Sequence, residues 1–307
     1  MDTLAVVMEE PRRLAMRRLA LKPAGPDDVV VEVNVSGIST GTERLLWDGR
    51  MPHFPGFGYP LVPGYESIGQ IVDAGEAARD RIGQRVFVPG SSHFIDARGL
   101  FGGAARTLIA PAARTVALPD GLGDEGVLLS LAATAYHAIA GGAAPDLIVG
   151  HGTLGRLLLR LTEAMGAERP TVWETNPVRR HGVAIHPDAD DRWDYRSIYD
   201  ASGAEDLMDF LVARLARSGE IVLAGFYEAR VSFAFPAAFM REARFRIAAE
   251  FRPEDVVAVT ALIEAGRLSL DGLITHRMAA SEANDAYPTA FGDPACLKMI
   301  LDWRNCA

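Results

Sequence analysis

The sequence predicts an α/β protein that combines a small antiparallel β-barrel with a doubly wound parallel sheet. Short strand-like runs separated by Gly and Pro fill residues 1–120, which is typical of a small barrel. Alternating strand and helix patterns then continue to about residue 250, as in a parallel sheet covered by helices. A glycine-rich turn between an apolar strand and a helix is typical of the nucleotide-binding form of such a sheet.

The composition excludes several classes of protein. The chain has 307 residues, with 40 acidic against 31 basic side chains and a net charge of −9, so we expect no nucleic-acid partner. Two cysteines, Cys296 and Cys306, cannot build a disulfide framework, which favours a reducing, cytoplasmic location. The N-terminal residues lack the apolar core of a signal peptide. The most apolar stretch, residues 126–144, is too weakly hydrophobic for a membrane span.

Strand patterns define the predicted barrel. The β-branched runs that end in turn residues lie at residues 28–35, 67–72 and 85–88. A further strand-like piece occupies residues 272–275, and residues 253–265 have the pattern of an amphipathic helix. We predict a barrel domain made of residues 1–122 and completed by residues 253–307.

Residues 123–252 form the predicted second domain. Apolar residues from Leu128 to Ile139 recur at helical spacing and open it. Pro187 and Ser197 are only ten positions apart, which is too few for a connecting helix of ordinary length. We therefore expect one helix of the usual set to be missing from this domain.

The strongest chemical signal is the segment G-H-G-T-L-G, which follows an apolar strand and opens a helix. Gly150 permits the tight turn, Gly152 lets the backbone approach a pyrophosphate, and Gly155 lets the helix pack close to the strand. Thr153 and Leu154 lie in the first turn of the helix, whose free N–H groups favour phosphate. The segment predicts a dinucleotide site.

The next strand supports this interpretation. It ends at Glu174, 19 residues after the last glycine of the turn, where a carboxylate binds ribose hydroxyls and repels the 2′-phosphate of NADP. We therefore predict NAD. Two alternatives remain: Arg179 and Arg180 could bind the 2′-phosphate of NADP, and Glu174 could be an ordinary solvated acid. The turns that contain Ser202 and Gly225 follow the next two strands and would border the cofactor.

Four further segments carry a family pattern. They are S-G-I-S-T-G-T-E from residue 36, P-L-V-P-G-Y-E-S-I-G from residue 60, I-G-Q-R-V from residue 82 and A-T-A-Y-H-A from residue 133. With the cofactor turn, they resemble the medium-chain dehydrogenase/reductase superfamily, which includes the alcohol dehydrogenases, over nearly the whole chain. The resemblance implies a GroES-like catalytic barrel, a Rossmann-type NAD domain with Thr134 among its cofactor contacts, and a possible homodimer.

The positions that hold zinc in that superfamily differ here. The resemblance aligns Ser39 with a cysteine ligand and Tyr65 with a histidine ligand, and neutral hydroxyls do not replace thiolate and imidazole. Two cysteines are also too few for the superfamily's structural zinc lobe. We therefore expect no metal, as in the quinone reductases of the same superfamily.

Further blocks resemble one branch of the superfamily more closely. They are L-V-P-G-Y-E-S, R-G-L-F-G-G-A-A, V-G-H-G-T-L-G-R-L-L, T-V-W-E-T-N-P and C-L-K-M-I-L-D-W. Members of that branch use NAD to oxidise a 1-hydroxyethyl side chain of a chlorophyllide-type tetrapyrrole to acetyl in bacteriochlorophyll synthesis. The resemblance implies the same activity and substrate class.

A flat apolar macrocycle calls for aromatic contacts, and aromatic residues are dense in one segment. Five occur within 19 residues: Trp47, Phe54, Phe57, Tyr59 and Tyr65. The intervening Gly and Pro predict an exposed loop, although the same rings could pack the barrel's own loops. His53 and His93 lie in similar loops and could ligate the magnesium of the macrocycle or be ordinary surface residues.

Without zinc, a general base would have to remove the alcohol proton. Tyr65 and Glu66 are the candidates, with Ser39 or Thr42 as a hydroxyl relay. His137 is a further candidate because its ordinary pKa suits the task, although it could equally be a packing residue, and Glu66 could be structural. Two alternative functions remain at this stage, a zinc-independent quinone or enone reductase and a non-enzymatic scaffold with a vestigial nucleotide site.

Overall fold

The structure, a computed structural model, describes residues 1–53, 55–180 and 182–306, so the predicted substrate residue Phe54 lies outside the described residues. The chain divides into two units. Residues 1–130 and 271–307 form the first, called the barrel unit here, and residues 131–270 form the second, called the sheet unit.

The secondary structure follows the two predicted patterns, with short strands in the first part of the chain and alternating strands and helices after it. The strands are β1 (Asp2–Glu10), β2 (Arg13–Ala20), β3 (Asp28–Ile38), β4 (Leu61–Val62), β5 (Ser67–Ala74), β6 (Arg85–Val88), β7 (Arg98–Gly99), β8 (Thr107–Pro111), β9 (Val116–Ala117), β10 (Leu147–Val149), β11 (Thr171–Trp173), β12 (Ala184–Ile185), β13 (Tyr195–Asp200), β14 (Leu215–Leu223), β15 (Arg244–Ile247), β16 (Ile274–Ala279) and β17 (Lys298–Asp302). The α-helices are α1 (Thr42–Asp48), α2 (Leu129–Ala140), α3 (Thr153–Ala164), α4 (Met208–Arg214), α5 (Phe235–Arg241), α6 (Pro253–Glu264) and α7 (Ala283–Gly292).

The barrel unit contains two sheets around one apolar core. The larger has the order β16-β17-β3-β5-β6-β9, with β8 also paired to β3, and the smaller has the order β2-β1-β4-β7. The β-branched run of β3 buries Val29, Val31 and Val33 in this core, which is why a strand forms there. The tail joins the same sheet because β17 pairs antiparallel with β3, with Leu301 opposite Ser36. Helix α7 makes the crossover that the parallel pair β16 and β17 requires.

The sheet unit is a parallel six-stranded sheet with the order β12-β11-β10-β13-β14-β15. Strands β11 and β12 are added on one side of β10, and β13 to β15 are added on the opposite side. The direction in which strands are added therefore reverses between β10 and β13, which is the topological switch point of the sheet. This arrangement confirms the predicted fold class of a barrel with a Rossmann-type sheet.

The connection from β12 to β13 is short. It holds the single 3₁₀ turn Pro187–Ala189, and residues 186–194, all of them described, contain no α-helix. A buried polar cluster fixes this segment instead: Trp173 and Tyr195 donate hydrogen bonds to one oxygen of Asp190, at 2.6 and 2.5 Å. Arg214 donates to the main-chain carbonyl of Asp190 at 2.6 Å.

The division between the units falls after Ser130 and Leu270, compared with the predicted boundaries after residues 122 and 252. Helix α6 accounts for most of the difference. Its buried Asp255 pairs with His137 of α2, and Val259 is also buried, so α6 belongs to the sheet unit. Among the described residues, none of the helices combines the length and the apolar character that crossing a bilayer requires.

Candidate active site

The glycine-rich turn lies at the carboxyl edge of the sheet, between β10 and α3. Gly150 has a φ of +96°, and a Cβ there would lie 3.2 Å from the backbone of Ser202 in the turn after β13. A Cβ on Gly155 would lie 1.9 Å from the carbonyl oxygen of Gly150, so only glycine allows this close packing of helix against strand. A Cβ on Gly152 would face space with no described heavy atom within 4 Å.

Helix α3 begins at Thr153 with features that suit a phosphate. Its N-cap is Gly152, no side chain of the described residues caps it, and its first turn contains no acidic residue. The positive end of its dipole therefore favours an anion at this position. The residues therefore fit the pyrophosphate of a dinucleotide.

Glu174 follows β11 and is bonded to the glycine-rich turn. Its carboxylate accepts the N–H of His151 at 3.0 Å and the N–H of Asn176 at 2.8 Å. Each carboxylate oxygen keeps a lone pair for a further donor such as a ribose hydroxyl. The structure thus brings together the turn and the acid that the sequence proposed as one site.

A second set of contacts braces this region, and the sequence analysis missed it. The imidazole of His151 is buried and bonds the carbonyl of Arg179 through Nδ1 at 2.8 Å. Burial lowers the pKa of His151. The guanidinium of Arg156 donates to the carbonyls of His151 and Arg179, both at 3.1 Å. Arg179 and Arg180 are half-buried in the loop after Glu174.

The turns after β13 and β14 are organised by one buried acid. Asp200 accepts hydrogen bonds from the N–H and hydroxyl of Ser202, at 2.8 and 2.6 Å, and from the hydroxyl of Tyr227 at 2.7 Å. Its main-chain carbonyl accepts the N–H groups of Ala224 and Gly225. Burial raises the pKa of Asp200, and these hydrogen bonds oppose the rise. Ser202 and Gly225, both proposed as cofactor contacts, are therefore held by the same residue, one through its carboxylate and the other through its main-chain carbonyl.

In the barrel unit, the residues aligned with zinc ligands form a cluster of hydroxyls. The hydroxyl of Tyr65 donates to Ser39 Oγ at 2.7 Å and is also bonded to Thr42. The ring of Phe101 packs edge-on against Tyr65, with centroids 5.1 Å apart. Burial, together with the charge of Glu66, raises the pKa of Tyr65. Tyr65 is therefore a neutral hydrogen-bond donor at physiological pH and a poor base.

Behind the hydroxyls lies Glu43, a fully buried acid that the sequence analysis did not select. Its carboxyl accepts the N–H of Ser39 at 2.9 Å and the hydroxyl of Tyr287 at 3.0 Å. Burial raises its pKa from the ordinary 4.5 to about 8, the bond from Ser39 opposes this, and the charge of Glu66 adds to it. Glu43 therefore titrates in the range where a proton acceptor of an oxidation works.

Glu66 is the second fully buried acid of this region. Lys298 Nζ donates to Glu66 Oε2 at 2.5 Å, whereas Oε1 has no hydrogen-bond partner among the described residues. Burial raises the pKa of Glu66, and the lysine charge opposes the rise. A Cβ on Gly37 would lie 2.3 Å from Oε2, so the glycine makes room for this carboxylate.

This chemistry does not suit a zinc ion. Ser39 and Tyr65 offer neutral oxygens that are already bonded to each other, where zinc needs thiolate, imidazole or carboxylate. Within the described part of the chain, no three His, Cys, Asp or Glu residues lie together as ligands for any metal. The cluster instead offers hydrogen-bond donors to an oxygen atom, next to two acids and one ammonium group.

The predicted aromatic segment does not form one exposed loop. Trp47 lies on α1, so the expectation of a loop position is wrong there. Its ring stacks on Tyr287 of α7, with centroids 6.4 Å apart, and is tilted against Phe291 of the same helix at 6.3 Å. Phe57 and Tyr59 do lie in a loop, with their rings edge to face at 5.6 Å, and Tyr59 donates its hydroxyl to the carbonyl of Leu46. Both rings are partly exposed and pack against the barrel core.

The two histidines proposed as magnesium ligands differ in environment. His53 is exposed. His93 is half-buried, its Nε2 lies 3.3 Å from Asp28 Oδ2, and its Nδ1 is buried without a hydrogen-bond partner among the described residues. Because Nδ1 is buried and Nε2 is paired with a carboxylate, His93 is disfavoured as an axial ligand.

Two further predicted residues lie on α2, in the sheet unit. His137 Nδ1 bonds Asp255 Oδ2 at 2.9 Å, and the same carboxylate caps the start of α6 by accepting the N–H of Arg252 at 2.7 Å. The pair thus ties α6 to α2, which is the packing role left open for His137 in the sequence analysis. Thr134 is half-buried on the same helix.

Comparison with known proteins supports one family. The alcohol dehydrogenase GroES-like domain family matches residues 25–120. Two proteins called 2-desacetyl-2-hydroxyethyl bacteriochlorophyllide A dehydrogenase are similar to nearly the entire chain. The one from Rhodobacter capsulatus is 57% identical over 99% of each chain, and the one from Cereibacter sphaeroides is 58% identical over 100% of each.

Solved structures agree on the fold. A short chain alcohol dehydrogenase from E. coli CFT073, in complex with NADH, has a TM-score of 0.85 at 19% identity and covers 98% of this chain and 99% of its own. A putative zinc-binding dehydrogenase from Sinorhizobium meliloti 1021, bound to NADP, has a TM-score of 0.81 at 20% identity and covers 99% and 100%. The chain therefore belongs to the 2-desacetyl-2-hydroxyethyl bacteriochlorophyllide A dehydrogenase family of the medium-chain dehydrogenase/reductase superfamily, and it is an oxidoreductase that acts on a hydroxyl group.

Proposed function

We propose that this chain oxidises the 1-hydroxyethyl substituent of a bacteriochlorophyllide to acetyl, with NAD as the hydride acceptor and without zinc. The observation that carries the proposal is the identity of 57–58% over the full length of two relatives that bear the name of this activity. Such identity over both units leaves the quinone reductase and scaffold alternatives without support.

The choice of NAD rests on Glu174. Its carboxylate lies at the end of β11, bonded to the N–H groups of His151 and Asn176, where a 2′-phosphate would meet a negative charge. The carbonyl of Arg179 is bonded to His151 and Arg156, which directs its backbone toward the glycine-rich turn. Bound NAD would supply the acceptor for the hydride, while Gly150, Gly152 and the N-terminus of α3 would hold its phosphates.

The substrate oxygen would lie against the hydroxyl cluster of Ser39, Thr42 and Tyr65. Because the pKa of Tyr65 is raised, Tyr65 stays a neutral phenol and would not remove a proton. Its one O–H is donated to Ser39 Oγ, so the hydroxyl of Ser39, oriented by this bond, would donate the hydrogen bond to the substrate oxygen. A conjugated ring next to the reacting carbon stabilises the positive charge that develops there, which lessens the need for a metal.

The proton of the alcohol would pass to the buried acids. Glu43 is bonded to the amide of Ser39 and has a pKa of about 8, so its ionised form can take up a proton near that pH. The ion pair between Lys298 and Glu66 keeps the net charge of this buried cluster of acids low before the reaction. His137, paired with Asp255 in the sheet unit, is not part of this proposal.

We also propose that the protein is a homodimer. Strand β15 is the last strand of its sheet, and the adjoining surface exposes large apolar side chains, which single chains rarely do. The most exposed of them are Phe235, Phe239, Met240 and Ile247. A second copy would cover this face.

The proposal is tested by incubating the purified protein with hydroxyethyl bacteriochlorophyllide and either NAD or NADP, and following the pigment spectrum. We expect the red-shifted spectrum of the acetyl product with NAD, weaker turnover with NADP, and very low turnover of ethanol or propan-2-ol. Efficient oxidation of the simple alcohols, without reaction of the pigment, would refute the proposal.

A further inference from the structure

Arg98 is fastened to the loop that carries the exposed aromatic rings. Its Nη1 donates to the main-chain carbonyls of Gly56 and Phe57, at 3.2 Å each. Gly58 lies beneath the guanidinium, since a Cβ there would be 3.2 Å from Arg98 Cζ. The side chain therefore has a defined position on the rim formed by Phe57 and Tyr59, although it is exposed to solvent.

The other edge of this guanidinium is unused. Among the described residues, no hydrogen bond from Arg98 Nε or Nη2 and no carboxylate partner of Arg98 is present, whereas Arg106 of the same unit is paired with Glu32. The Nε and Nη2 edge of a guanidinium presents two parallel N–H donors, which match the two oxygens of a carboxylate. In a chain with a net charge of −9, an unpaired cation fixed in this way favours an anionic ligand.

Arg98 is also close in sequence to the hydroxyl cluster. It begins β7, and three residues later Phe101 packs edge-on against Tyr65 at 5.1 Å. Three residues of extended chain span at most about 10 Å. A macrocycle that packs against the rim of Phe57 and Tyr59 and presents a substituent to Tyr65 is large enough to reach both places.

A chlorophyllide, unlike the esterified chlorophyll, carries a free propionate on the pyrrole ring next to the one that bears the hydroxyethyl group. We propose that Arg98 binds this propionate carboxylate side-on, so that the enzyme selects the free acid over its esters. The inference rests on the proposed function, and it adds a carboxylate subsite on the rim of the barrel unit.

The test compares the free acid with its methyl ester in steady-state kinetics. For wild-type protein, we expect a KM for the acid that is about 10- to 100-fold below that for the ester, with similar kcat. Arg98→Gln should raise the KM for the acid by the same factor and leave the KM for the ester unchanged. Arg98→Lys should restore part of the difference, because it keeps the charge without the fork. Arg79→Gln, which alters another exposed arginine of the same unit, should change neither the KM for the acid nor the KM for the ester.

Three outcomes would overturn the inference. An equal rise in KM for acid and ester in Arg98→Gln would mean that Arg98 only supports the loop, and thermal unfolding of the variant would show that loss of structure. No change with either substrate would mean that the carboxylate lies elsewhere. If wild-type protein oxidises the ester as well as the acid, the proposed function survives and the subsite does not, whereas failure on both refutes the function itself.

Discussion

At the scale of single residues, the cofactor choice depends on one carboxylate. Glu174→Ser removes the charge that faces a 2′-phosphate and the acceptor for the N–H groups of His151 and Asn176. We expect the Kd for NAD to rise about 10-fold and the difference between NAD and NADP to shrink. Titration of both dinucleotides measures this. Glu168→Ser, an exposed acid of the same unit, is the matched control. If wild-type protein binds NADP as tightly as NAD, the role given to Glu174 is wrong.

A second residue-scale prediction concerns Glu43. Its pKa rises from 4.5 in the unfolded chain to about 8 in the fold, so the folded state holds the extra proton between these values. The free energy of unfolding must therefore fall as pH rises from about 4.5 to about 8, by a few kcal/mol from this group alone. Glu43→Gln should remove that part of the fall, because its amide does not titrate; its carbonyl can still accept the N–H of Ser39, while its NH2 can donate to the hydroxyl of Tyr287.

Chemical denaturation of both proteins across this pH range provides the measurement. Asp200 also has a raised pKa, but it is present in both proteins and cancels in the comparison. Glu66 is coupled to Glu43 by charge, so the difference between the two proteins reports the titration of Glu43 together with its effect on Glu66. Parallel curves of stability against pH would contradict a buried, protonated Glu43. In the wild type, we also expect kcat for oxidation to increase as pH passes about 8, and Glu43→Gln to lose this inflection.

At the scale of elements, the pair His137–Asp255 joins α2 and α6. His137→Ala and Asp255→Ala should each lower the free energy of unfolding by about 1–3 kcal/mol. The double variant should cost less than the sum, because the two side chains share one bond. Since the structure gives His137 this packing role, the kcat of the His137→Ala variant should stay within a few-fold of wild type. A well-folded His137→Ala protein with kcat reduced about 100-fold or more would instead identify His137 as the base.

The sequence predicts an element well where the pattern that indicates it lies within a short stretch of neighbouring residues. Strands β3, β5 and β6 and the glycine-rich turn follow from β-branched runs and from glycine spacing, and the structure has them where the patterns lie. The Gly and Pro residues that follow Trp47 predict a loop, but the structure has Trp47 on helix α1, in contact with Tyr287 and Phe291.

Pairs that are distant in the chain give no such signal. Glu43 meets Tyr287 across 244 positions, and Glu66 meets Lys298 across 232. No spacing rule connects residues that far apart, so the sequence identifies neither the role of Glu43 nor the partner of Glu66. The only hint in the sequence is that Lys298 is one of two lysines in a chain rich in arginine.

At the scale of the whole molecule, the proposed dimer depends on the apolar face beside β15. Phe239 and Met240 are 65% and 73% exposed, so replacing both with glutamate should not disturb the core of the sheet unit. We expect wild-type protein to sediment as a dimer and the double variant as a single chain. Val257→Glu, at a side chain 69% exposed on α6, is the matched control and should leave the dimer intact. A wild type that stays a single chain at micromolar concentration would contradict the proposal.

Metal-free oxidation of the pigment by NAD is the chemistry proposed for this chain. It is tested most directly by dialysing the protein against a strong chelator, confirming by elemental analysis that no zinc remains, and measuring NADH and acetyl pigment formed from hydroxyethyl bacteriochlorophyllide. We predict that the treated protein forms one NADH for each acetyl group at the rate of the untreated protein, because Ser39 and Tyr65 stand where a metal would need thiolate and imidazole. Loss of turnover on zinc removal, with recovery when stoichiometric zinc is returned, would contradict the account.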